Sequence, residues 1–134
     1  MKKTLLYLFL LLLFATALWW VLSQKSPEAI QSTRAEYTIG AGQLYREFYN
    51  DEAAANEKYL NKIIRVKGEV VDFSASSNSK VSVWLSAGGN NAVKCSLDPR
   101  KEHRREEFQK GEPVTFKCTC AGLTGQVELV DCVE

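Results

Sequence analysis

Histidine occurs once in this 134-residue chain, as His103. It sits in "RKEHRREE", where Glu102, Glu106 and Glu107 answer Arg100, Lys101, Arg104 and Arg105. Mixed charge of this kind marks a solvated helix face. A nucleophilic triad needs a base held by a third group, and the sequence places no such set around His103. Acid pairs such as Asp51 and Glu52 read as ordinary surface charge. A phosphate-binding glycine loop is also missing: Gly40-Ala41-Gly42 precedes a helical pattern but follows no strong strand. Catalysis is therefore not expected, and neither a cofactor nor a metal is expected. Net charge is lacking too. Seventeen basic side chains face sixteen acidic ones, so there is no overall attraction for phosphate backbones or anionic surfaces.

Charge is absent in another sense from Leu5 to Leu22, an apolar run that follows Lys2 and Lys3. As a helix rising about 1.5 Å per residue it would span roughly 27 Å, close to the ~30 Å hydrocarbon core of a bilayer. Ala15-Thr16-Ala17 has the small-x-small form of a cleavage site, but the run continues through Trp19 and Trp20. A cleaved signal has a hydrophobic stretch of about 7–15 residues. The length favours a retained signal-anchor or transmembrane helix over residues 1–23, touching the membrane through residues 4–22. The alternative is a cleaved signal and a secreted or periplasmic product. Lys2 and Lys3 hold the N-terminus inside. No cysteine near the end of the run offers a site for lipid attachment. A polar linker over 24–40 then leads to a domain over 41–134.

Cysteine is scarce, and all four copies, Cys95, Cys118, Cys120 and Cys132, fall in the outward part. Disulfides persist there. Zinc knuckles use C-x₂₋₄-C and redox centres use C-x-x-C at a helix start, whereas this chain has C-x-C on an extended pattern. Two structural disulfides are the expectation. Alternate residues of a strand point the same way, with Cα atoms about 6.5–7 Å apart, so Cys118 should not bond Cys120. Simple hairpin register brings Cys132 nearer to Cys118 than to Cys120, a bulge would reverse this, and the pairing stays open.

Gly42 to Tyr59 is helical in pattern, with Leu44, Phe48, Ala55 and Tyr59 on one stripe and a break at Asn50-Asp51. "NKIIRVKGEVVDF", "KVSVWLS" and "AVKCSL" alternate as three strands. A helix follows from Asp98, its plausible N-cap, to Gly111. Two more strands carry "VTFKCTC" and "QVELVDCV". Three strands, a helix and two strands is the element order of the OB-fold, a five-stranded partly open barrel. The expected architecture is mainly β, an OB-fold barrel with the helix between strands 3 and 4, an extra N-terminal helix and the membrane helix.

From Ala41 to Val133 the chain resembles the tRNA_anti-like family of small exported OB-fold proteins. The resemblance rests on "LYREFYNDEAAANEKYLNKIIRVKGEV", "VKCSL", "KGEPVTFKCTCAG" and "VELVDCV". It implies the barrel and transfers no catalytic residue, and the nucleic-acid name of the family reflects fold likeness alone.

The sharpest candidate ligand face is the outside of the first three strands, where Arg65, Lys67, Trp84 and Lys94 could line one surface. A ring amid basic side chains is how OB-folds stack bases and hold phosphates. Against it stand the single aromatic and the chance that the preceding helix covers Trp84 through Leu44, Phe48 or Tyr45. The expected function is a non-catalytic module that binds or scaffolds an envelope protein, peptide or glycan. The alternative is single-stranded nucleic-acid binding through that outer face.

Overall fold

A computed structural model of the chain describes residues 12–17, 19, 33–76, 80–98 and 107–134. The elements in chain order are β1 (Tyr37–Gly40), α1 (Ala41–Asn50), α2 (Glu52–Tyr59), β2 (Ile63–Ala75), β3 (Val81–Gly88), β4 (Asn91–Leu97), β5 (Pro113–Leu123) and β6 (Val127–Val133). Strands β2 to β6 close a mixed five-stranded barrel in the order β2-β3-β4-β6-β5, with β5 returning to β2. The closing β2–β5 pair is antiparallel, and β4–β6 is parallel. This is an OB-like barrel with short helices.

Period-two alternation drives it. Ile64, Val66 and Val70 of β2 point inward, as do Val83 and Leu85 of β3 and Val93 and Cys95 of β4. Phe116, Cys118 and Cys120 of β5 and Val127, Leu129 and Cys132 of β6 meet them in one cluster. The β3–β4 hairpin turns through Gly88 and Gly89 at φ 101° and 59°, a region open to glycine at little cost.

Asp51 separates the two helices. Its backbone is extended, and its side chain caps α2 by accepting from the Ala54 N–H at 3.0 Å. Leu44 and Phe48, one turn apart on α1, are buried with Ala55 and Tyr59 of α2 in the barrel's cluster. Gly68 permits this docking. A Cβ there would lie 3.0 Å from the Leu85 Cβ and 3.1 Å from the Ala41 Cβ, so a side chain would force the start of α1 off the barrel.

Glu47 ties the helices together. Its carboxylate accepts from the Tyr59 hydroxyl at 2.7 Å, from Lys58 Nζ at 3.0 Å and from Gln43 Nε2 at 3.0 Å. Burial alone would raise this carboxyl, but the three hydrogen bonds outweigh it and hold the group below its ordinary value. A depressed carboxyl contributes stability above its unfolded pKa and loses it as pH falls through the folded one. Melting temperature is therefore expected to fall as pH drops below about 4.5. Glu47→Gln should flatten part of that fall, as followed by circular dichroism.

Three expectations need adjustment. The domain starts before residue 41, because β1 pairs parallel to β2 from Tyr37↔Ile64 to Gly40↔Lys67 and buries Ile39. Four residues are too short a run to show a period within a polar linker. Most of the helix expected from Asp98 to Gly111 lies outside the described residues, but Glu107, Phe108 and Gln109 are not helical. Phe108 instead turns inward against Phe116 and Phe73, with ring centroids at 5.8 and 6.4 Å. The membrane helix expected over 1–23 also lies largely outside the described residues. Residues 12–17 are helical, and among the described residues no helix is long and apolar enough to cross a membrane.

Candidate ligand face and sulfur cluster

Outward residues of β2 fall into two groups, because the strand pairs with different partners along its length. Its first half lies between β1 and β5. There Arg65 sits opposite Thr38 on one side and Lys117 on the other, while Lys67 sits opposite Gly40 and Thr115. Its second half turns to β3, after a register shift between Val70 and Asp72 that places Asp72 opposite Trp84. The structure thus brings Arg65 and Lys67 together and sets Trp84 and Lys94 apart from them, on the β3–β4 side.

The Trp84 row is electrostatically closed. Lys94, opposite Trp84 on β4, pairs with Glu128 at 3.2 Å, and Lys110 lies 3.4 Å from Asp72. Trp84 is half-buried. Leu44 and Phe48, which were expected to cover it, belong instead to the core cluster, from which Trp84 is absent.

The Arg65 row is different. Arg65 and Lys117 stand in register on the outer face, with Lys67 two residues along. Lys117 Nζ donates to the Thr33 carbonyl at 3.2 Å, which ties the incoming chain to the barrel. Arg34 follows immediately, and an open cleft is lined by Arg34, Ala35, Glu36, Thr38 and Arg65. Among the described residues, no carboxylate stands within ion-pair distance of Arg65 or Lys67. Glu36, the acidic group of the cleft, lies 4.0 Å from Lys62. Four cations, Arg34, Arg65, Lys67 and Lys117, so gather where β1, β2 and β5 meet. Reading the strands singly found two of them. Lys117 could have been found from its outward phase on the fourth strand, but only barrel closure sets it beside Arg65.

The cysteines form one bridge where two were expected. Cys118 is bonded to Cys132, while Cys95 and Cys120 are free and buried. Register explains the difference. Cys95 on β4 and Cys120 on β5 both stand opposite Leu129 of β6, one on each side. Two strand spacings of about 4.7–4.9 Å separate them, beyond the ~7 Å limit for a disulfide. A bulge sets the pair that does form. Strict alternation from Val127 and Leu129 would turn Asp131 inward and Cys132 outward. Instead Asp131 adopts φ 52°, the register shifts, and Cys132 is buried facing Leu97 and the β5 strand. Asp and Asn tolerate the left-handed region, and β-branched residues do not. Asp131→Val is accordingly expected to destabilise the domain by about 1–2 kcal/mol and to raise the fraction of reduced Cys118, both readable by urea titration and thiol labelling. Asp131→Gly should preserve the bridge.

The sulfurs of Cys95, Cys118 and Cys132 all lie within 4.8 Å of one another, and all three residues are buried. Burial pushes the Cys95 thiol well above its ordinary range and raises Cys120 as well, in the latter case against a hydrogen bond with the Gly122 backbone. Neither is a ready nucleophile.

Among curated proteins no relative matches this chain. The crystal structure of a Klebsiella pneumoniae protein, described as a "putative nucleic acid-binding lipoprotein", superposes with a TM-score of 0.57 at 18% identity, covering 81% of this chain and 97% of that one. That likeness fixes the fold. A model of the tRNA_anti-like family matches residues 1–133, and with the barrel it establishes that the chain belongs to the tRNA_anti-like family.

Proposed function

We propose that the chain is a non-catalytic binding module, held at the outer side of a membrane, that takes an anionic partner in the envelope. The partner would be an acidic protein segment or an anionic glycan. The observation that carries the reading is the in-register Arg65–Lys117 pair, with Lys67 and Arg34 beside it. A bound anion would be shared among cations that the fold gathers on one exposed face.

Export is supported by the apolar run after Lys2 and Lys3 and by the Cys118–Cys132 bridge. The Klebsiella protein of similar fold is described as a lipoprotein. In this chain the apolar run from Leu5 to Leu22 would serve as the anchor. Leu12, Phe14 and Trp19, exposed by 64%, 71% and 78%, are suited to lipid contact.

The description of that relative as nucleic acid-binding favours a second reading, in which the same cations hold a single strand. Base stacking needs rings on the ligand face. The outward residues around the cations are Thr38, Glu69, Thr115 and Thr119, none of them aromatic. For this reason we rank the protein or glycan partner first.

The test is competition on the full chain in detergent micelles, with a fluorescent poly-glutamate peptide as probe. Displacement by hyaluronan or unlabelled poly-glutamate at lower concentrations than by oligo(dT) of equal charge is expected. Stronger displacement by oligo(dT) would favour the nucleic-acid reading. No saturable binding at low salt would remove both.

A further inference from the structure

We propose that the three sulfurs of Cys95, Cys118 and Cys132 form, in the reduced chain, a three-coordinate site for a thiophilic divalent ion such as zinc or cadmium. The disulfide and the ion would then be alternative ways of filling one pocket of the core.

Geometry is the first argument. Zinc–thiolate bonds are about 2.3 Å long, so three sulfurs arranged trigonally around one ion stand about 4.0 Å apart. The observed sulfurs all lie within 4.8 Å of one another. Opening the Cys118–Cys132 bond lets those two side chains rotate apart, and the remaining adjustment falls within rotamer changes. Each ligand also sits on a different strand of one hydrogen-bonded stretch, β4, β6 and β5 in that order. Ligands on neighbouring strands are positioned by the sheet itself and gain precision that loop ligands lack. The fourth cysteine provides an internal control, because Cys120 lies outside the cluster, across Leu129 from Cys95.

Chemistry is the second. A thiol or phosphine reductant supplies two electrons, and with two protons the Cys118–Cys132 bond becomes two thiols. Cys95 provides a third. Binding one divalent ion then displaces three protons to solvent and forms three metal–sulfur bonds. One net negative charge remains, whereas a monovalent ion would leave two. Uncompensated charge in an apolar core is costly, so the divalent ion is preferred. The cluster has no water-accessible edge, since all three cysteines have 0% relative exposure. The ion would therefore be held by the three sulfurs alone, one ligand short of the four that hold zinc in a closed structural site. Residues 95, 118 and 132 carry no metal-binding spacing, and only the bulge at Asp131 and the β4–β6 pairing bring them together.

Cadmium is the practical probe, because its thiolate charge-transfer absorption counts sulfur ligands. The full chain in detergent micelles, reduced with a phosphine and kept free of oxygen, is titrated with cadmium. One ion per chain is expected, with X-ray absorption reporting three sulfurs and with a melting temperature above that of the reduced, metal-free chain. Cys95→Ala should lower the sulfur count to two and weaken binding by tenfold or more, while Cys120→Ala leaves both unchanged. No stoichiometric uptake would overturn the proposal. So would a sulfur count indifferent to Cys95→Ala, or an equal dependence on Cys120, which is what a reduced and unfolded chain with interchangeable thiols would show.

Discussion

Arg65→Glu combined with Lys67→Glu is expected to weaken polyanion binding by a hundredfold or more at low salt, without lowering the melting temperature. The binding loss follows from position. Two of four cations in one cluster are replaced, and each reversal adds repulsion where attraction stood. Counterion release predicts a log–log salt slope of about −2.8 for four contacts to a flexible polyanion, falling to about −1.4 when two are lost. Stability should change little, because Arg65 and Lys67 are exposed and, among the described residues, neither is in an ion pair that the reversal would break. A surface kept for folding alone would show no binding change. A surface kept for a ligand shows a loss of binding at nearly unchanged stability. Fluorescence anisotropy at several salt concentrations, with thermal melts of the same samples, reads both quantities.

Phe116→Ala should be the most damaging single change in the barrel. The ring is fully buried, lies opposite Val66 across the closing strand pair, and packs edge-on against Phe108 at 5.8 Å. Truncating a buried phenylalanine costs about 3–5 kcal/mol, as lost transfer energy plus the cavity left behind. Domains are stable by only about 5–15 kcal/mol, so the variant should lose a large share of its stability. Phe108 would lose its seat as well, and with it the packing that brings the chain back to β5. Urea unfolding should show a lower midpoint with an unchanged slope. A midpoint within experimental error of the wild type would mean that Phe116 is not at the centre of the core.

The barrel was legible because its strands alternate cleanly. Ile64, Val66 and Val70, or Val83 and Leu85, announce an inward face with no help from their neighbours. The pairing of Cys132 with Cys118 was not legible, because a bulge at Asp131 is what brings Cys132 inward. What escaped depends on contacts between distant segments. β1 is only four residues long and becomes a strand by lying against β2. Arg65 and Lys117 become one feature only when β5 closes on β2. The absence of a second bridge needs the knowledge that β6, with Leu129, runs between the strands that carry Cys95 and Cys120. Grouping Trp84 with Arg65 requires strands that share one flat face. The long β2 instead changes partners midway and carries its two halves onto different sides of the barrel.

Export underlies the whole account, since the bridge, the proposed membrane anchor and the proposed envelope partner all require a domain that folds outside the cytoplasm. The direct measurement is differential thiol labelling of the chain isolated from native membranes. Free thiols are blocked under denaturing conditions at once, the bridges are then reduced, and a second label is read by mass spectrometry. The prediction is first-label modification at Cys95 and Cys120 and second-label modification at Cys118 and Cys132. First-label modification at all four positions would contradict it.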